Sequence, residues 1–159
     1  MDQQDTREGS GELAGGVTPI EQLLIECACS RLVITYCTAA DHHDVDAFLG
    51  IFADDARWHQ ADGSVFVGHA QIREYFVGRP KSPVRSHICS NILIEVLDTE
   101  SARGTSMATV LRAGPAGADG TPGTMKPHAV LEYEDQYERQ ADGAWKIIVR
   151  QPRLVYSAV

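Results

Sequence analysis

The chain predicts an α+β fold: three N-terminal helices wrapped by a curved, mixed or antiparallel sheet that encloses an apolar pocket. Three observations carry that prediction. Apolar residues recur at helical spacing over the first half of the chain, from Pro19 to Phe76. Two short strand-like segments interrupt that half. From Val84 onward apolar and polar residues alternate in four segments separated by turns, as in an antiparallel meander. Helices followed by strands make an α+β domain with its helices on one face of the sheet. Curvature of such a sheet leaves an apolar pocket at the open end, a usual place for a small ligand.

The elements follow in order. Thr18-Pro19-Ile20-Glu21 reads as a helix start, with Thr18 as N-cap, Pro19 in the first turn and Glu21 at the capping-box offset. Leu23, Leu24, Cys27, Ala28 and Leu32 continue that helix to Tyr36, with Asp41 in its last turn or just beyond. A short second helix begins at Asp41-His42-His43-Asp44, repeats Val45, Phe48, Leu49 and Phe52, and is expected to close at Asp54-Asp55. Ala56 to Gln60 and Val65 to Val67 read as strands around the turn Ala61-Asp62-Gly63-Ser64. His69 to Phe76 is a third helix. The four long strands are expected at Val84–Val96, Ala102–Leu111, Ala129–Gln140 and Trp145–Tyr156, with a Gly/Pro/Ala loop from Arg112 to Pro127. On the third of these, Val130, Glu132, Glu134, Gln136 and Glu138 face one way, and Leu131, Tyr133, Asp135, Tyr137 and Arg139 the other.

Composition narrows the partners. At 159 residues, 43% hydrophobic and 23% charged, the chain has the size and balance of one domain. Residues 1–17, polar, acidic and glycine-rich, read as a disordered tail, and residues 18–159 as the domain. The tail lacks the apolar core of a signal peptide, so a cytoplasmic protein is expected. A net charge of −8 argues against nucleic acid as partner, since no basic stripe is present to neutralise phosphates. No apolar stretch is expected to reach the length of a membrane span. The four cysteines (Cys27, Cys29, Cys37 and Cys89) contain no C-x-x-C pair and read as small buried hydrophobes.

Two segments carry the candidate chemistry. Tyr36-Cys37-Thr38-Ala39-Ala40-Asp41 ends the first helix, and Arg85-Ser86-His87-Ile88-Cys89-Ser90-Asn91 opens the first long strand. A carboxylate beside an imidazole fixes its tautomer and stabilises the imidazolium, so the ring can take a proton from carbon without a cofactor. Each residue also has a plainer reading. Asp41 fits as N-cap of the helix that follows, His87 as a structural histidine, Tyr36 as core and Arg150 as a surface residue of the last strand. Asn91 is expected to share a face with His87; Trp58 and Phe52 are core residues that could also line the pocket wall. His42 and His43 are adjacent and diverge on a helix, so no metal site is expected.

The chain resembles the SnoaL-like branch of the nuclear-transport-factor-2-like superfamily over about residues 18–156. The resemblance rests on Tyr36…Asp41, Phe52-Ala53-Asp54-Asp55-Ala56, Gly68-His69-Ala70-Gln71-Ile72, His87…Asn91, and Tyr133 to Arg139 followed by Asp142-Gly143-Ala144-Trp145-Lys146-Ile147 and Arg150. It implies a cone-shaped barrel with a deep pocket, assembled as a homodimer or homotrimer. The site pattern is similar to scytalone dehydratase, bile-acid 7α-dehydratase and hexachlorocyclohexane dehydrochlorinase, which carry an Asp–His pair where Asp41 and His87 stand. By that resemblance Tyr36 matches a tyrosine of the bile-acid enzyme and Arg150 an arginine of the dehydrochlorinase. The implied activity is that of a cofactor-independent lyase of the dehydratase type on a small, largely apolar substrate, cyclic ones included. The fold also hosts isomerases, polyketide-type cyclases and non-catalytic ligand-binding domains, which remain alternatives.

Overall fold

The computed structural model describes residues 16–80, 84–118, 120–121 and 123–158. The expected tail lies outside the described residues up to position 15, while Val17, at its end, is buried in the core. The elements are α1 (Pro19–His42), α2 (Val45–Gly50), β1 (Phe52–His59), β2 (Val65–Val67), α3 (Gly68–Gly78), β3 (Arg85–Val96), β4 (Ser101–Ala113), β5 (Met125–Arg139) and β6 (Trp145–Ser157). One six-stranded sheet runs in the order β2-β1-β6-β5-β4-β3. β3 to β6 form the antiparallel meander; β1 joins it through a parallel pairing with β6. The sheet is curled but unclosed, and α1 packs against β3, β4 and β6.

The Thr18 hydroxyl accepts from the Glu21 backbone N–H while the Glu21 carboxylate accepts from the Thr18 N–H. This reciprocal cap stabilises the helix start by about 0.5–2 kcal/mol. Ile25, Cys29, Val33, Tyr36, Cys37 and Ala40 then fall on one buried face at three- and four-residue spacing. By length and composition α1 also qualifies as a membrane-spanning helix, contrary to the expectation that no stretch approaches that length. In this fold its apolar face is the surface that the sheet covers.

The second helix is shorter than its spacing suggests. It ends at Gly50, and Asp54 and Asp55 are exposed residues of β1. Phe52 stands four residues after Phe48 and so fits a helix, but its backbone is taken up by β6: Ile147 N–H donates to Ile51 O at 2.9 Å, and Phe52 pairs with Ile147. Tyr36, Phe48, Phe52, Trp58 and Phe76 form a buried aromatic core, with Phe48 stacked on Phe76 at 4.0 Å.

β3 is bulged. Ser90 pairs with Met107 and Leu93 with Thr105, so one extra residue is accommodated, and Asn91 takes the left-handed conformation (φ 51°). Gly104 faces the bulge. A Cβ there would lie 2.8 Å from the Leu93 carbonyl oxygen and 2.7 Å from Ile94 Cδ1. Gly104→Ala should therefore destabilise the fold by about 1–3 kcal/mol through overpacking, seen as a lower urea midpoint at unchanged m-value.

Candidate active site

Asp41 lies in the last turn of α1. The chain then reverses through His43, which is left-handed (φ 53°), and its continuation is capped by Asp44, whose Oδ1 accepts from the Ala47 N–H at 3.0 Å. Capping falls to Asp44, which frees the Asp41 carboxylate to point at β3. Its Oδ2 accepts from the His87 backbone N–H at 2.8 Å, and its Oδ1 lies 2.5 Å from His87 Nδ1. The carboxylate thus grips both backbone and ring of one residue. With the proton on Nδ1 shared toward Asp41, the lone pair of Nε2 is the one left to accept a proton. The His87 side chain is 8% exposed and that of Asp41 18%. Burial pulls the His87 pKa below its usual value; the hydrogen bond and charge of Asp41 oppose this, and Arg79 and Arg85 add to it. Burial thus favours the neutral ring, whose lone pair is free to accept a proton.

A second group lies deeper. Arg150 is completely buried, its guanidinium carbon 3.9 Å from the Tyr36 ring centroid and 4.0 Å from that of Tyr133. Its Nη1 is 3.4 Å from Asp135 Oδ2, and Asp135 also accepts from the Tyr137 hydroxyl at 3.0 Å. Among the described residues, Arg150 Nε, Nη1 and Nη2, Asp135 Oδ1 and Ser106 Oγ have no hydrogen-bond partner. Burial lowers the affinity of Arg150 for its proton, but Asp135 and the three tyrosines outweigh it and hold the side chain protonated. Burial raises the Asp135 carboxyl, against Arg150 and Tyr137. Tyr36 and Tyr133 are likewise raised by burial and remain neutral phenols. Cys37, pushed up to about 12 by burial, lies between the two groups and interacts with Cys89, Arg150 and Asp41.

The structure therefore joins Asp41 to His87, and Tyr36 to Arg150, on one stretch of α1. Phe52 and Trp58 are each 1% exposed and form the aromatic wall behind Tyr36, with centroids at 6.4 and 6.2 Å. Asn91 is a correction. The bulge reverses the alternation after Cys89, so Ile92, Ile94 and Val96 turn inward while Asn91 is exposed, donating to Met107 Sδ at 3.3 Å. Cys29 and Cys37 are buried as expected, but Cys27 is exposed. His42 Nδ1 bonds the Thr38 carbonyl at 2.9 Å, and the His43 ring packs on Phe76. Cavities of about 400 and 260 Å³ lie away from Asp41 and His87, one on the outer sheet face over Gly104 and Asp135 and one between α1 and the β5–β6 turn.

Sequence reasoning passed over Asp135 as a functional residue. Its signal was a carboxylate between Tyr133 and Tyr137 on one face of β5, and the missing information was its cross-strand partner, Arg150.

Helices followed by a curled, unclosed six-stranded sheet are the nuclear-transport-factor-2-like fold. The chain belongs to the SnoaL-like domain family, whose model matches residues 21–151. Among solved structures it is similar to a protein of unknown function from Mycobacterium tuberculosis, at 28% identity and a TM-score of 0.71, covering 84% of this chain and 77% of that one. It shares its fold with a hexachlorocyclohexane dehydrochlorinase, LinA-type3, from Novosphingobium barchaimii (19% identity, TM-score 0.73, 89% and 93% covered). A candidate scytalone dehydratase from Novosphingobium aromaticivorans is similar to the same degree (20% identity, TM-score 0.71, 87% and 89% covered). No curated protein matches the chain by sequence.

Proposed function

We propose that the protein is a cofactor-independent lyase of the dehydratase type acting on a small, largely apolar substrate. The observation that carries this reading is the two-point hold of Asp41 on His87, at 2.8 Å to the backbone N–H and 2.5 Å to the ring. It leaves a neutral imidazole with Nε2 as the free base. His87 Nε2 takes a proton from carbon, and Asp41 stabilises the imidazolium that forms. The electron pair of the broken C–H bond forms the new double bond as the neighbouring C–O bond breaks. The imidazolium returns its proton to the departing hydroxyl, which leaves as water. Tyr36 and the buried positive charge of Arg150 stabilise negative charge developing on oxygen. The dehydratase and dehydrochlorinase among the structural neighbours are in keeping with this reading.

The test is incubation of the purified protein with a panel of small hydroxylated carbonyl compounds in deuterated water. Products lighter by one water support elimination. Deuterium uptake at unchanged mass, apart from the label, marks an isomerase using the same base. Neither change in any substrate that binds would leave a ligand-binding domain. Once a substrate is known, Tyr36→Phe should lower kcat by on the order of 10²-fold with the thermal midpoint near that of the parent, since the ring packing is kept.

A further inference from the structure

The sheet pairs its charges across strands with consistent sign, except at one end. Glu95 stands opposite Arg103, Glu132 opposite Arg153, Asp135 opposite Arg150 and Glu138 opposite Lys146. At the end of the sheet nearest His87 the rule is broken twice in one row. Arg85 of β3 is directly opposite Arg112 of β4, and Arg112 is directly opposite Lys126 of β5. Like charges placed directly across strands are destabilising. Among the described residues, no carboxylate forms an ion pair with any of the three. A fourth cation faces the same place: Arg79, after α3, lies 5.5 Å over the Phe76 ring and acts electrostatically on both Arg85 and His87. All this occurs in a chain whose net charge is −8.

The row is on the face that carries the base. Arg85 and His87 are two apart on an unbroken stretch of β3, so their side chains leave the sheet on one side. Opposite His87 is Val110, which is buried, and Arg112 follows it by two. Beyond Val110 the row emerges to solvent: Arg85 is half-buried, Arg112 and Lys126 are exposed. A local rule broken without structural return is expected where a site is built.

We infer that Arg85, Arg112 and Lys126, with Arg79, bind an anionic group of the substrate, a carboxylate or a phosphate ester, at the end of the sheet beside His87. The substrate is then amphiphilic: an apolar part reaches His87, and its anionic end stays on the basic row. The two-residue step between Arg85 and His87 sets the spacing of the charge from the acidic C–H at roughly 6–8 Å. The inference deepens the proposed function and rests on His87 as the proton-transferring group.

Binding measured without turnover tests it separately. Naphthylacetate, naphthyl phosphate and the neutral naphthylacetamide are titrated calorimetrically into the full chain at low and at raised ionic strength. The anions should bind about tenfold or more tightly than the amide, with the gap narrowing as salt screens it. The tighter of the two anions identifies the group as carboxylate or phosphate. The preference should vanish in Arg85→Gln/Arg112→Gln/Lys126→Gln, whose thermal midpoint should not fall, because like-charge repulsion is relieved; Arg112→Gln alone should show a partial loss. His87→Ala should keep the preference, so an error about the base does not conceal the result. Equal affinity for amide and anions, or a preference that survives the triple substitution, overturns the inference.

Discussion

His87→Ala is expected to lower turnover by on the order of 10²–10⁴-fold, the contribution of a positioned general base, while the far-ultraviolet circular dichroism stays that of the parent. The pH dependence separates this role from a structural one. The base form of His87 is required, and its pKa lies below the usual histidine value. The profile of kcat/KM should thus be level at neutral pH and fall on the acid side, below the range of an exposed histidine. Asp41→Asn removes the charge that raises the His87 pKa and leaves only a neutral amide oxygen as acceptor, so it should move that acid limb to still lower pH while reducing the maximal rate by about 10²-fold or more. A purely structural Asp41 would lower the rate and leave the limb where it was. Stability follows the same linkage. The unfolded chain binds a proton at His87 near pH 6.5, and the folded chain only at lower pH. The contribution of His87 is complete above that value and is lost as pH falls through the folded pKa. Urea titrations at several pH values should show a shallower acid decline in His87→Ala. Full activity in that variant would end the assignment.

Local chemistry made much of this fold readable. The capping box at Thr18 and Glu21 marks the start of α1 to the residue, and the alternation Tyr133, Asp135, Tyr137 separates the faces of β5. Non-local terms decided what was misread. Phe52 fits both a helix repeat after Phe48 and a strand, and the choice is made by β6, some 95 residues later, through the Ile51–Ile147 hydrogen bond. Asp41 and Asp44 are equally plausible caps in the sequence; only the reversal at His43 assigns the cap to Asp44 and the site to Asp41. The bulge in β3 did leave a trace, because the inward residues change parity between Cys89 and Ile92. Asn91, in the left-handed conformation it tolerates better than most residues, is where that change occurs. The basic row has no sequence signature, since Arg85, Arg112 and Lys126 become neighbours only through strand register.

The buried ion pair supplies the second large effect. Asp135→Ala leaves the guanidinium of Arg150 enclosed by protein, with the carboxylate contact that faces it among the described residues removed. Breaking such a pair from one side costs about 3–5 kcal/mol, a large part of the roughly 5–15 kcal/mol that holds a domain folded. The cation–π contacts with Tyr36 and Tyr133 offset only part of this, at about 2 kcal/mol when desolvated. Asp135→Asn should be milder, because the side-chain oxygen can still accept from the Tyr137 hydroxyl. Replacing both partners, as Asp135→Leu with Arg150→Met, removes the desolvated charges together and should recover most of the loss. The two sites are register partners on β5 and β6, so a double-mutant cycle should return a large coupling energy. Urea unfolding of the four proteins measures it. A coupling near zero would mean that Asp135 does not compensate Arg150. A stable double variant without turnover would assign Arg150 to the chemistry, because the fold would then have been shown not to need its charge.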